Sequence, residues 1–391
     1  MPVSLSRREV SLLAGAAGLF GATRVRAAEP IKLGLVAALS GQSAKSGEGI
    51  TRGLQVAIDE VNAKGGVLGR PLELVRRDDE SNPAKGQTAA RELMDREGVA
   101  ALFGGIDSPV SQAIVPIVNG AKMPFMGVWA AATNITRNGA TPNYCFRVSA
   151  VDALVDRRLI AHVTGPMGAK KPGLMLVNNG WGESNNSGLT AAAAAAGVIL
   201  AGVERFDEKD VDMLPQLQRL RAEGADAVIL VGNAAPGSQV VKAMQRSAWS
   251  VPIVSHWGIS GGRFPELAGS WAGRVQFVQT YSFFAPQSAV GERVTKALMA
   301  KYPDIKGPGD ITPPVGVANA YDGLMLLALA IGAAGSTDGD AIRTALEGLG
   351  RYEGLIKTYD HPFSATNHDA LDSTDYVMVR YNGEKIEPVA G

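Results

Sequence analysis

The chain has 391 residues, of which 38 are basic and 38 acidic, and 46% of its residues are hydrophobic. This length accommodates two domains with cores of their own. The balanced charge excludes a strongly positive protein that would attract nucleic acid or anionic lipid by its net charge. The only cysteine, Cys145, excludes an internal disulfide and is expected to be a buried apolar filler. We identify no apolar run of the roughly 20 residues that a membrane span needs.

The first 27 residues have the pattern of an export signal. Arg7 and Arg8 precede an uncharged stretch at 12–22 that is rich in glycine and alanine, and Val25-Arg26-Ala27 is a small-x-small cleavage pattern. The arginine pair resembles a twin-arginine signal, and an ordinary secretory signal is the alternative. Both interpretations predict a mature chain that begins at Ala28 and lies outside the cytoplasm.

Short apolar strands alternate with amphipathic helices along the mature chain. We predict strands in IKLGLVAAL (31–39), LELVRRD (72–78), VAALFGG (99–105), MPFMGV (123–128), GLMLVN (173–178), AVILVG (227–232) and PIVSH (252–256). The segments between them carry helical patterns, and Asn82 with Pro83 marks one helix start. Such alternation is typical of parallel sheets covered by helices on both faces, so two doubly wound α/β domains are expected.

Sequence motifs for catalysis, cofactors and metals are missing. The stretch GEGITRG (47–53) departs from a dinucleotide fingerprint in the place of its last glycine. There is no phosphate loop, no HExxH pair and no CxxC, and the four histidines lack metal-ligand spacing. RRDDESN (76–82) lacks the ligand spacing of a calcium loop. We therefore expect no catalytic residue, no cofactor and no metal site.

Small and hydroxyl residues follow several predicted strands, at 39–41, 104–108 and 129–133. Ligands of doubly wound sheets bind beyond the carboxyl ends of the strands. Hydroxyl groups and helix-start N–H groups at that edge suit a carboxylate. Ser108 directly precedes Pro109, so we predict that Ser108 is the N-cap of its helix and is also available to a ligand.

Three motifs carry a family resemblance: VNAKGGVLGRPLELVRRDDESNPAKG (61–86), GGIDSPVSQA (104–113) and WGESNNSGL (181–189). With the rest of the mature chain, they resemble periplasmic substrate-binding proteins of the branched-chain amino acid class, which serve ABC importers. The resemblance implies the type I periplasmic binding protein fold, with two Rossmann-like lobes joined by a three-strand hinge that closes on a ligand.

The same resemblance implies domain boundaries. After the signal at 1–27, one lobe spans 28–148 and 283–354, and the other spans 149–282 and 355–391. The crossovers are then expected near Ser149, Ser282 and Gly354.

The resemblance also implies a set of ligand-binding positions. A carboxylate subsite falls on Ser108, Ala131 and Thr133, and an aromatic from the opposite lobe falls on Trp181. Two positions depart from the family pattern, because Ser46 stands where a tyrosine is usual and Asn233 where a second aromatic is usual. The full expected set is Ser46, Ser108, Ala131, Thr133, Trp181, Asn233, His256 and Trp257.

The largest departure lies after the strand PIVSH. Amino acid binders of the family place there a glutamate that pairs with the ligand ammonium, whereas this chain has His256 and Trp257. We therefore expect small carboxylates or amides, aromatic ones included, to bind at least as well as leucine or valine, with His256 donating to a neutral polar group. Trp257 as a packed indole is an alternative. Another is that Asp107, Asp152 or Glu183 supplies the missing negative charge.

The expected function is that of a periplasmic receptor, a monomer that delivers a small amino acid, amide or carboxylate to the membrane permease of an ABC importer. An extracytoplasmic sensor subunit with the same fold is the alternative. An NAD-dependent enzyme is disfavoured by the missing fingerprint and by the export signal. Nucleic acid is not an expected partner.

Overall fold

A computed structural model describes residues 28–389, so the predicted export signal lies outside the described residues. The first sheet is parallel, with strand order β2-β1-β3-β4-β5. Its strands are β1 (Ile31–Ala37), β2 (Leu72–Asp78), β3 (Ala101–Gly104), β4 (Phe125–Gly127) and β5 (Cys145–Arg147). The connecting helices are α1 (Ala44–Ala63), α2 (Pro83–Asp95) and α3 (Ser108–Gly120).

The second sheet has seven strands in the order β14-β13-β10-β9-β8-β6-β7. Its parallel strands are β6 (Pro172–Val177), β7 (Val203–Phe206), β8 (Ala227–Val231), β9 (Ile253–Ser255) and β10 (Val275–Gln279). The helices α4 (Asp152–Thr164), α5 (Gly180–Ala195), α6 (Leu214–Ala222), α7 (Ala234–Arg246) and α8 (Phe264–Ala268) belong to this half. The antiparallel edge is formed by β13 (Val377–Asn382) and β14 (Lys385–Pro388), which were not predicted.

The helices α9 (Ala289–Lys301), α10 (Pro314–Ala334) and α11 (Gly339–Glu347) follow the second sheet in the chain. Of these, α10 packs against α1 so closely that a methyl group on Gly53 would stand 2.3 Å from the Val317 carbonyl oxygen. By length and composition, α10 could cross a membrane. This corrects our interpretation of the sequence, in which no apolar run was long enough for a membrane span. Since 83% of its most apolar window is buried inside the protein, α10 has the burial of a core helix.

We call the half built on the first sheet the first lobe and the half built on the second sheet the second lobe. The chain passes between them after β5 and after β10, close to the expected crossovers near Ser149 and Ser282. The third passage comes later than the expected position near Gly354. It follows the small hairpin of β11 (Tyr352–Glu353) and β12 (Thr358–Tyr359).

Residues 355–370 lie against the first lobe, although we expected them in the second. The Leu355 amide donates to the Asp322 carboxylate of α10 at 2.6 Å, and Asp369 pairs with the buried Arg147 of β5 at 2.8 Å. These buried polar contacts hold the segment on the first lobe until the chain enters β13. Both lobes are α/β with parallel sheets, so the predicted fold class is confirmed.

Two helix starts test the cap predictions. Asn82 caps α2 as predicted, since its side chain accepts from the Ala84 and Lys85 amides at 2.9 and 3.2 Å. The prediction for α3 is wrong by one residue. Asp107 is the N-cap and Ser108 is the first helical residue, because the extended backbone ends at Asp107.

Candidate ligand-binding cleft

The carboxyl ends of parallel strands from both sheets face one cleft between the lobes. The segments after β3 and β4 of the first lobe meet those after β6, β8 and β9 of the second lobe around a small cavity. The cavity has a volume of about 10 Å³, which is the space of one water molecule. Five of the expected ligand-binding residues line it: Ser108, Ala131, Trp181, Asn233 and Trp257.

The cleft is closed in this structure. Several hydrogen bonds join residues of the first lobe to residues of the second. Three of them run from Ser46 Oγ to the Gly261 carbonyl (2.7 Å), from the Thr133 amide to Ser184 Oγ (3.2 Å) and from Asn233 Nδ2 to Asp107 Oδ1 (3.2 Å). Binding of any solute larger than water in the inner cavity therefore requires the lobes or the lining side chains to move apart.

A larger pocket of about 300 Å³ lies at the cleft mouth and shares Asn233 with the inner cavity. The loop 40–43, Ser46 and Glu80 line it from the first lobe, and Glu208 lines it from the second. Its volume is at the lower end of the range of small-molecule sites. Ser46 thus lies at the mouth, where its hydroxyl is part of the contact between the lobes.

Three indoles surround the inner cavity. Trp129 of the first lobe and Trp257 of the second approach to 6.2 Å between ring centroids, tilted by 57°. Trp181 lies at the start of α5, whose N-cap Asn179 accepts from the Trp181 amide at 2.9 Å. Gly258 makes room for this ring, because a methyl group there would stand 2.6 Å from the Trp181 ring. The three rings form a largely apolar wall.

Asp152 holds the two second-lobe indoles in place. Its Oδ1 accepts from Trp181 Nε1 at 3.2 Å and lies 3.0 Å from His256 Nε2. The other ring nitrogen of His256, Nδ1, accepts from the Trp257 amide at 2.8 Å. A nitrogen that accepts carries no proton, so the His256 ring is neutral, with its proton on Nε2 directed at Asp152.

His256 supports the cavity from behind, because both of its ring nitrogens are occupied and its side chain is fully buried. Its ring packs edge-to-face on Trp181 at 5.1 Å and on Trp257 at 5.4 Å between centroids. This geometry does not support the expected hydrogen bond from His256 to a ligand. For Trp257, the sequence left open a ligand contact or a packed indole. The structure shows a buried, packed indole that also lines the cavity.

The expected carboxylate subsite is only partly open. Ser108 Oγ accepts from the Ala132 amide at 3.2 Å, so its own hydroxyl proton can be donated into the cavity that it lines. Thr133 Oγ1 accepts from the Ala153 amide at 3.1 Å, and the Thr133 amide is bonded across the cleft. In this closed form, Thr133 contacts the second lobe and does not line the cavity.

Asp107 brings a carboxylate to the cavity wall. Among the residues that the structure describes, it is the one charged side chain lining the cavity, and its Oδ2 has no hydrogen-bond partner. Burial raises the pKa of Asp107, and hydrogen bonding from the Ser81 and Asn233 side chains opposes that rise. A buried carboxylate with an unsatisfied oxygen is costly, so this group favours a partner that donates protons or carries positive charge.

Trp129 and Asn179 line the cavity as well, although neither is in the expected ligand-binding set. Trp129 lies two residues after the end of β4, and an aromatic residue at the carboxyl end of a strand is a signal that could have selected it. The pairing of Asp152 with His256 joins positions 104 residues apart, which no local pattern connects.

A two-lobed α/β protein with a closed cleft at the strand ends is a hinged ligand-binding protein in architecture. The family model for periplasmic binding proteins matches residues 30–385. The chain belongs to this family, and the family resemblance noted in the sequence is confirmed. The periplasm is the location that this membership implies.

The chain is similar in sequence to a described binding protein and in fold to solved structures. A Leu/Ile/Val-binding protein, BraC3 of Rhizobium johnstonii, is 25% identical over 318 residues, covering 81% of this chain and 83% of the relative. A type 1 periplasmic binding protein from Bordetella pertussis Tohama I has a TM-score of 0.84 at 24% identity and covers 92% of this chain and all of its own. A solute-binding protein of an ABC transporter from R. palustris, in complex with 4-hydroxybenzoate, has a TM-score of 0.78 at 22% identity, covering 93% of this chain and 96% of its own.

Proposed function

We propose that this protein is the extracytoplasmic receptor of an ABC importer, which closes on a small amino acid, amide or carboxylate and presents it to a membrane permease. The observation that carries the proposal is the cavity at the strand ends, lined from both lobes and closed by hydrogen bonds between them. A ligand bound there contacts both lobes, so it stabilises the closed form selectively.

The relatives support the transporter role over the sensor alternative. Their descriptions name a Leu/Ile/Val-binding protein and a solute-binding protein of an ABC transporter. Both descriptions are of binding proteins, which supports binding without catalysis here. We propose that the receptor acts as a monomer, since each chain carries both halves of the cleft.

The lining residues are suited to a small polar solute with a flat or apolar body. We propose that Ser108 and Asn233 hydrogen-bond the solute, that Trp181 and Trp257 cover its apolar part, and that Ala131 leaves space for it. Ser46 and Thr133 act in closure through their bonds across the cleft.

A solute panel tests this proposal directly. We expect at least one amino acid, amide or aromatic carboxylate to bind the mature protein with one-to-one stoichiometry in calorimetry and to raise its melting temperature. At a ligand concentration 100 times the dissociation constant, the stabilisation is about 2.7 kcal/mol. Trp181→Ala should abolish the shift. Trp271→Ala is the matched control, because Trp271 stacks on Arg274 outside the cavity lining.

For the route of export we propose the twin-arginine pathway. Replacing Arg7 and Arg8 by lysine should leave unprocessed precursor in the cytoplasm, because that pathway reads the arginine pair. Normal processing of the double variant would instead assign the general secretory route.

A further inference from the structure

We propose that the cleft selects solutes that carry a positively charged nitrogen, with the Asp107 carboxylate as its ionic partner and the indoles of Trp129, Trp181 and Trp257 around it. The inference rests on the proposed function and names the chemical class of the solute. It replaces the expectation from the sequence that acids and amides without an amine bind at least as well as leucine.

The unsatisfied oxygen of Asp107 is the first observation. Asp107 is 9% exposed and lines the inner cavity. Its Oδ1 accepts from Asn233 Nδ2 at 3.2 Å, while Oδ2 lies buried with no partner. A cation in the cavity would satisfy this oxygen, whereas a second carboxylate would be repelled by it.

The indoles are the second and independent observation. Trp129, Trp181 and Trp257 all line the same cavity as Asp107. The face of an indole attracts a cation through its quadrupole, and aromatic cages of this kind recognise ammonium groups. An aromatic wall alone suits any flat solute, but an aromatic wall that includes a carboxylate favours a cationic one.

The other two carboxylates considered for an ammonium are less well placed. Asp152 Oδ1 accepts from Trp181 and lies within hydrogen-bond distance of His256, and although its Oδ2 has no partner, Asp152 does not line the cavity. Glu183 is exposed and pairs with Arg205 at 2.6 Å. Asp107 is therefore the carboxylate that lies at the cavity wall with an oxygen available to a cationic group.

The surroundings of Asp107 are acidic as well. The charge of Asp107 raises the pKa values of Asp79 and Glu208, after the larger effect of burial, so the three carboxyl groups lie within electrostatic reach of each other. The mouth pocket next to the cavity is lined by Glu80 and Glu208 and also by Lys209, and Glu80 pairs with Lys85 at 2.6 Å. Asp107 and Glu208 together favour a cationic solute over an anionic one at this edge of the cleft.

Matched solute pairs test the inference by calorimetry on the mature protein. Leucine is compared with isocaproate, which lacks only the α-amino group, and choline with dimethylbutanol, in which carbon replaces the charged nitrogen. We expect binding of at least one cationic member and a much weaker affinity for its partner. Asp107→Asn, which preserves size and one acceptor, should weaken binding of the cationic member by roughly 100-fold.

Two controls separate this effect from misfolding. Asp95→Asn alters an exposed acidic residue of α2 that lines neither the cavity nor the mouth pocket, and it should change affinity less than about threefold. The melting temperature of ligand-free Asp107→Asn should equal or exceed that of the parent, since the variant removes a buried charge.

The outcomes distinguish this inference from the proposed function. If isocaproate, a hydroxybenzoate or another uncharged or anionic solute binds as tightly as every amine, and Asp107→Asn leaves its affinity unchanged, the inference is wrong while the receptor function stands. If no solute of any class binds the folded protein, the proposed function itself fails.

Discussion

Asn233 of the second lobe donates a hydrogen bond to Asp107 of the first lobe, with 3.2 Å between Nδ2 and Oδ1. Both residues line the inner cavity, so one of the bonds that join the lobes also forms part of the candidate binding site. Cleft closure and solute recognition thus share one carboxylate, and a change at either residue should affect both.

Removal of this contact should shift the lobes toward the open form. A hydrogen bond to a charged group contributes about 1.5–3 kcal/mol, so Asn233→Ala should lower the closed population about tenfold or more. Small-angle scattering of the ligand-free variant should then give a larger radius of gyration than that of the parent protein. An equal radius for both proteins would mean that this bond does not hold the cleft closed.

Asp152 should matter for the indoles that it positions. Asp152→Ala leaves Trp181 Nε1 and His256 Nε2 buried without an acceptor, at a cost of about 1–3 kcal/mol for each group. We expect a lower melting temperature and a changed tryptophan emission spectrum. Asp152→Asn keeps an acceptor oxygen and should lose less stability. Equal losses in the two variants would contradict a role as hydrogen-bond acceptor.

Asp79 should make stability depend on pH. Burial raises its pKa from 3.8 to about 7, so between these values the folded protein keeps a proton that the unfolded chain has released. Stability should therefore fall by up to a few kcal/mol as the pH rises from about 4 to 7. Asp79→Asn should reduce this slope in denaturant titrations. Asp95→Asn, at an exposed position of α2, should leave the slope unchanged.

Gly53 tests the packing of α1 against α10. Gly53→Ala would place a methyl group 2.3 Å from the Val317 carbonyl, so the helices must separate. Overpacking of this kind typically costs about 1–3 kcal/mol. Gly332→Ala in α10 meets no atom within 4 Å and should be neutral or stabilising by up to about 1 kcal/mol. Similar melting temperatures for the two variants would exclude a close helix contact.

Strand and helix order in much of the molecule could be predicted from hydrophobic periodicity, because each βα unit is a local pattern. Strand β13 could not be predicted in this way, since its pairing with β10 joins residues about 100 positions apart, and β14 joins the sheet through β13. The third passage between the lobes was misplaced for a similar reason. Its position depends on the pairing of Asp369 with Arg147, which lies in a distant strand.

In the candidate site, too, some residues could be predicted from the sequence and others could not. Ser108, Trp181 and Trp257 could be predicted, because they follow strands whose carboxyl ends face the cleft. The orientation of the His256 ring could not be predicted. It depends on the contact of Nε2 with Asp152 and on the hydrogen bond that Nδ1 accepts from the Trp257 backbone amide. The sequence does not separate Asp107 from Asp152 and Glu183, because only the folded structure places Asp107 at the cavity wall.

The most direct test of the receptor function is a calorimetric titration of the mature, folded protein with a panel of amino acids, amides, amines and aromatic carboxylates. We predict saturable binding of one solute per chain, with a carboxylate at position 107 required for full affinity. The absence of binding heat for every solute, at concentrations up to the millimolar range and across several temperatures, would contradict it.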